Sequence, residues 1–108
     1  MTLHCPLTTD NQHIIDENAL ALMKPSAMLL NTARGPLIDE QALLNALTHN
    51  SIAGAALDVL SQEPPPSNHP LLKYQGDNLI ITPHIAWAAK EARQRLVIML
   101  ANNLSKYL

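Results

Sequence analysis

Phenylalanine is absent from this chain, and one tryptophan and two tyrosines supply all of its aromatic side chains. A core cannot be assembled from stacked rings here, so it falls to Leu, Ile, Val, Ala and Met. Cysteine occurs once, as Cys5. That excludes an intrachain disulfide and fits a reducing cytoplasm. Positive charge is not in excess: seven Lys and Arg against nine Asp and Glu leave a formal net charge of −2. Binding to nucleic acid or to an anionic membrane needs a basic patch, so neither partner is expected. No apolar run approaches the roughly 20 residues that cross a bilayer. No signal-peptide pattern opens the chain, and no zinc or EF-hand spacing occurs. What is present is 47% hydrophobic and 15% charged over 108 residues. Those proportions suit one small globular domain with one core.

The first residues, MTLHCPLT, read as the tail of a strand, as if the chain opened inside an element. Thr8, Thr9 and Asp10 make a polar turn. Asp16 is placed to cap a short helix, ENALALM, with Ala19, Leu20 and Met23 on one face, and Lys24-Pro25 stops it. AMLLN follows, apolar on consecutive positions, which suits a parallel strand buried on both faces. Gly35 and Pro36 end that strand. Asp39 caps a helix with Leu43, Leu44 and Leu47 as its stripe, closed by His49-Asn50. IAGAALDVL reads as another buried strand, its small residues allowing close approach of a neighbour. Residues 61–78, with three consecutive prolines, read as a loop without regular structure. NLIITPH is a further strand. The last segment, from Ala88 onward, is a long helix with Ala89, Ala92, Leu96, Leu100 and Leu104 on one face and a Glu91–Arg95 pair. Alternation of this kind predicts an α/β parallel sheet with right-handed crossovers.

Ligands of open parallel sheets bind beyond the carboxyl ends of the strands. Read along that edge, the strand ends carry His4, Cys5 and Pro6; then Thr32, Ala33 and Arg34; then Asp58, with Glu63 soon after; then Thr82, Pro83 and His84. Singly, each has a plain structural reading: a solvated arginine, a capping aspartate, a loop glutamate, a core histidine. Together on one rim, an arginine, two carboxylates and a histidine read as a site for a nucleotide or small anion. His13, His49 and His69 lack metal-ligand spacing and are read as surface residues.

The runs MKPSAMLLNTARGPLIDEQALLNAL, AGAALDVLSQEPPP and NLIITPHIAWAAKEAR resemble, in order, the D-isomer-specific 2-hydroxyacid dehydrogenases. The likeness covers nearly the whole chain, and it is to the carboxyl half of that family's dinucleotide-binding domain. HIAW most resembles the glycerate dehydrogenases, also called hydroxypyruvate reductases. The resemblance implies a partial Rossmann-like, doubly wound parallel sheet and a hydride transfer between NAD or NADP and a small 2-keto or 2-hydroxy acid, hydroxypyruvate or glyoxylate. It implies that Arg34 holds the substrate carboxylate and carbonyl, His84 gives a proton to the ketone oxygen, and Glu63 hydrogen-bonds His84. Asp58 would accept from the nicotinamide carboxamide. Thr32, Ala33, Arg34 and the segment His84, Ala86 and Trp87 would line the nicotinamide pocket, and Pro6 and Thr9 would lie toward the adenosine.

No G-x-G-x-x-G occurs in these 108 residues, nor does the acidic residue that reads the ribose or the family's substrate domain. The expectation is therefore a piece of an oxidoreductase that is inactive alone. Other readings are an NAD-sensing corepressor-like binding module and an inert truncated remnant. The strand ending near Cys5 would expose an unpaired edge, so a homo-oligomer is expected.

Overall fold

The computed structural model describes residues 1–107. Its elements are β1 (Thr2–Leu3), α1 (Glu17–Ala21), β2 (Met28–Asn31), a 3₁₀ turn (Gly35–Leu37), α2 (Glu40–Thr48), β3 (Gly54–Leu57), α3 (Pro70–Lys73), β4 (Leu79–Ile81) and α4 (Lys90–Leu104). The four strands form one sheet in the order β1-β2-β3-β4, every pair parallel. The register sets Leu3 beside Asn31, Asn31 beside Leu57, and Leu57 beside Ile81. The strand ends therefore stand level along one edge.

Both predicted caps form. Asp16 accepts from the Ala19 N–H at 2.8 Å, and Asp39 accepts from the N–H groups of Gln41 and Ala42 at 3.0 and 3.1 Å. Each satisfies N–H groups that a helix start leaves unpaired. The amide hydrogen bond from Ala19 holds the Asp16 carboxyl below its ordinary range. Leu43 and Leu47 of the predicted stripe are fully buried, and Leu44 packs partly against the same cluster. With Leu29, Leu37 and Ile52 they make the core.

Strands in sequential order with crossovers of one hand place their connecting helices on one face. Helices α1, α2 and α3 accordingly pack in series. This corrects the expectation for β2: burial alternates along it, Leu29 and Asn31 being buried while Met28 and Leu30 remain 44% and 40% exposed. A consecutive apolar run says that both faces are suited to burial, but here only one face is covered.

Four further expectations change. The 61–78 stretch is not wholly irregular, because Pro70 opens the single turn of α3. Proline is excluded from a helix interior, not from the first turn, where its missing N–H costs nothing. His69, read as a surface residue, is only 7% exposed. The α4 stripe has helical spacing, but no side chain of α4 is buried, and Leu96, Leu100 and Leu104 are open to solvent. Among the described residues the ion pairs are both between histidine and glutamate, so Glu91 and Arg95 do not form one.

Candidate functional site on the carboxyl edge

Each strand hands its last residues to the same edge, where two hollows lie. The first, about 530 Å³, is lined by His4, Cys5, Pro6, Leu7, Ala33 and Arg34, which follow β1 and β2. The second, about 480 Å³, follows β3 and β4 and includes Asp58, Glu63, Pro65, Thr82, Pro83 and His84.

Arg34 owes its place to Asn31, the fully buried last residue of β2. The Asn31 amide donates to the Arg34 carbonyl at 2.9 Å, and its oxygen accepts from the Ala33 N–H at 3.0 Å. A polar side chain buried at a strand end thus closes the turn that carries the arginine. Among the described residues the Arg34 guanidinium donates once, to the Ala33 carbonyl at 2.6 Å, and has no carboxylate within ion-pair distance. Of its five N–H groups, most remain available to an anion.

The second hollow is organised by Asp58, 5% exposed, at the end of β3. Its Oδ1 accepts from the Thr82 hydroxyl at 2.5 Å and from the Ile85 N–H at 2.9 Å, and its Oδ2 accepts from the Ala86 N–H at 2.8 Å. Burial alone would raise this carboxyl, but the bonds from Thr82, Ala86 and Ile85 together hold it below the ordinary range. These donors bracket His84 on both sides. His84 itself has a positive φ of 55°, a region uncommon for residues other than glycine, although histidine visits it more than most. Strain of this kind costs about 1–3 kcal/mol and persists only where the surroundings over-determine it. Here the His84 N–H donates to the Thr82 carbonyl at 3.0 Å, and the Trp87 indole N–H donates to the His84 carbonyl at 2.7 Å.

His84 Nδ1 lies 2.7 Å from Glu63 Oε2. The Glu63 carboxyl is held below its usual range, first by that bond to His84 and then by the Leu60 N–H at 3.0 Å. An ionised carboxylate only accepts, so Nδ1 carries the hydrogen. Among the described residues Nε2 makes no hydrogen bond.

The structure thus joins Asp58, Glu63, His84 and Ala86 through hydrogen bonds. It sets Arg34, Ala33 and Pro6 around the neighbouring hollow. Thr32 and Trp87 are exposed beside these turns. Thr9 stands apart, its hydroxyl donating to Asp10 at 3.3 Å. Sequence reasoning missed Asn31 and gave Thr82 no role. The signal for Asn31 was an amide ending an otherwise apolar strand.

Residues 1–86 match the NAD binding domain of the D-isomer specific 2-hydroxyacid dehydrogenases. A glyoxylate reductase of Thermofilum pendens is 53% identical over 104 residues, covering 96% of this chain and 30% of that protein. A glycerate dehydrogenase of Methylorubrum extorquens is 50% identical over 107 residues, covering 99% of this chain and 34% of the other. Among solved structures, an acyclic imino acid reductase in complex with NADPH and D-Arg superposes with a TM-score of 0.87 at 42% identity, over 98% of this chain and 33% of that one. The chain spans about a third of the length of the curated relatives it matches.

Proposed function

Because the chain belongs to the D-isomer specific 2-hydroxyacid dehydrogenases, we propose that its carboxyl edge carries the proton donor, the orienting carboxylate and the anion clamp of a nicotinamide-dependent reduction of a 2-keto acid. Hydroxypyruvate and glyoxylate are the proposed keto acids. The observation that carries this reading is the His84 Nδ1–Glu63 contact of 2.7 Å on a turn fixed by Asp58, which leaves Nε2 free.

The residues fit the nicotinamide end of such a cofactor. Small side chains, Ala33 and Ala86, flank polar groups at the sheet's carboxyl edge, where this class of fold binds nucleotides. Thr32, Ala33, Ala86 and Trp87 would line the nicotinamide, with Pro6 and Thr9 toward the adenosine. Among the described residues Asp58 Oδ2 accepts one bond, so it retains acceptor capacity for a carboxamide N–H. When bound, a reduced nicotinamide supplies the hydride that the carbonyl carbon takes up. The doubly protonated His84 ring gives its Nε2 proton to the carbonyl oxygen, which becomes the hydroxyl, and the ring is left neutral with its hydrogen on Nδ1. Glu63 keeps the ring oriented throughout by accepting from Nδ1. Arg34 grips the substrate carboxylate through a flat two-pronged donor set that lysine lacks.

On this reading the 108 residues are the carboxyl part of a dinucleotide-binding domain. The glycine-rich phosphate loop and the substrate domain are then supplied by sequence outside them, and the chain by itself does not turn over hydroxypyruvate. The test replaces the corresponding third of the Methylorubrum extorquens glycerate dehydrogenase with this chain. The hybrid should reduce hydroxypyruvate. His84→Gln in the hybrid should lower kcat by about 10²–10⁴-fold with a smaller change in KM. Undiminished turnover in that variant would refute the role of His84.

We also propose that the chain self-associates. The edge of β1 and the apolar side chains of α4 are the surfaces that would serve, since an unpaired strand edge and an apolar helix stripe both recruit partners.

A further inference from the structure

Glu40 opens α2, and its carboxyl group takes three hydrogen bonds from the segment that follows β3. Oε1 accepts from the Ser61 N–H at 2.7 Å, and Oε2 accepts from the Ser61 hydroxyl at 2.6 Å. His69 Nε2 lies 3.2 Å from Oε2, and this histidine is buried beside the start of α3. The order of the three is serine, glutamate, histidine. Among the described residues His69 bonds the Glu40 carboxylate and not the Ser61 hydroxyl, so the set lacks the serine–imidazole contact of a nucleophile.

What the set does is hold a place in the chain. Ser61 follows Leu60, whose N–H donates to Glu63 Oε1 at 3.0 Å, while Glu63 Oε2 meets His84. From the other side, Gly35 lies directly against this backbone: a Cβ there would collide with the Leu60 carbonyl and the Ser61 nitrogen. Leu60–Ser61 is therefore gripped between the turn that follows Arg34 and the first residue of α2. A continuous line of contacts runs from His69 through Glu40, Ser61 and Leu60 to Glu63 and His84.

We infer that Glu40 and His69 are positioning residues, which clamp the Leu60–Ser61 turn where Glu63 can reach the His84 ring. The consequence for catalysis rests on the proposed role of His84, but the clamp itself is a geometric claim. A plain alternative is that Glu40 only stabilises α2 through its N-terminal charge. The two differ in what they predict for the ring of His84, because the hydrogen bond at one imidazole nitrogen sets which nitrogen is protonated.

The experiment records imidazole ¹H–¹⁵N correlations on the labelled 108-residue chain, at a pH where its histidines are neutral. The wild type should show His84 mainly as the Nδ1–H tautomer. Glu40→Ala and His69→Gln should each turn it into a mixture dominated by Nε2–H. Glu40→Gln keeps an oxygen for the Ser61 N–H and should retain more of the Nδ1–H form. Ser61→Ala removes the hydroxyl bond alone and gives a milder probe if Glu40→Ala fails to fold. Unmoved methyl signals of Leu29, Leu43 and Leu47 would show an intact core. Glu63→Ala, which removes the acceptor facing Nδ1, separates the two readings. If it leaves the His84 tautomer unchanged, the Glu63–His84 pairing, and with it the proposed function, fails. If it shifts the tautomer while the Glu40, Ser61 and His69 variants do not, the clamp alone is overturned.

Discussion

Asp58 is the residue on which the second hollow turns. Its two oxygens gather a hydroxyl and two backbone N–H groups from residues 82, 85 and 86. Asp58→Asn would aim an NH₂ at one of these donors and leave a buried group unpaired. The expected loss is about 1.5–3 kcal/mol, the range for hydrogen bonds to a charged partner, read as a lower urea midpoint. The effect should depend on pH. Burial raises this carboxyl, yet its hydrogen bonds leave it lower in the folded chain than in the unfolded one; the His84 contact lowers Glu63 likewise. A carboxyl lowered by folding stabilises fully above its unfolded pKa, about 3.9 for Asp and 4.3 for Glu. That contribution disappears as the pH falls through the depressed folded value. The gap between wild type and Asp58→Asn should be widest above about pH 5 and narrow in acid. A gap that does not change with pH would contradict this account. At this scale much was legible. Arg34, Asp58, Glu63 and His84 stand at strand ends in the sequence itself. The positive φ of His84 and the burial of His69 were not legible, because both depend on partners more than 20 residues away.

Among elements, the turn after β2 shows how a correct assignment can miss the reason. Gly35 is read from the sequence, with Pro36, as the end of the strand. In the structure its φ is not positive, and it begins a 3₁₀ turn whose backbone presses on Leu60 and Ser61. The glycine is needed for the room it leaves. Gly35→Ala should therefore destabilise the fold, because backbone on both sides must move. Overpacking of this type costs about 1–3 kcal/mol, measurable by urea unfolding. If the His69–Glu40–Ser61 clamp acts as inferred, the same variant should also disturb the His84 ring signals. A neutral effect would mean that the 60–61 segment gives way easily. Helix caps and the alternation of strands with helices could be read directly from the sequence, since Asp16 and Asp39 announce their helices locally. The turn of α3 inside a proline-rich stretch could not, because proline marks both loops and helix starts.

For the whole molecule, shape is the telling quantity. The radius of gyration is 16.7 Å and the extents are 57 × 28 × 25 Å, whereas a compact domain of this length would have a radius near 13 Å. The apolar residues of α4 stay open, as do Met28, Leu30 and Ile80 of the sheet. Light scattering coupled to size exclusion should show mass rising above 11.8 kDa with concentration. Leu96→Lys with Leu100→Lys should shift that curve toward the monomer. A single monomer peak at every concentration would count against self-association. Alternation of apolar runs with capped helices was enough to specify a parallel α/β sheet, and with it which residues lie on the carboxyl edge, because both follow from local spacing and strand direction. Tertiary structure alone decided that helices cover only one face, that Arg34 and His84 line separate hollows, and that Glu40 reaches Ser61 and His69. Those outcomes depend on contacts between segments far apart in the chain, whose distances no local pattern encodes.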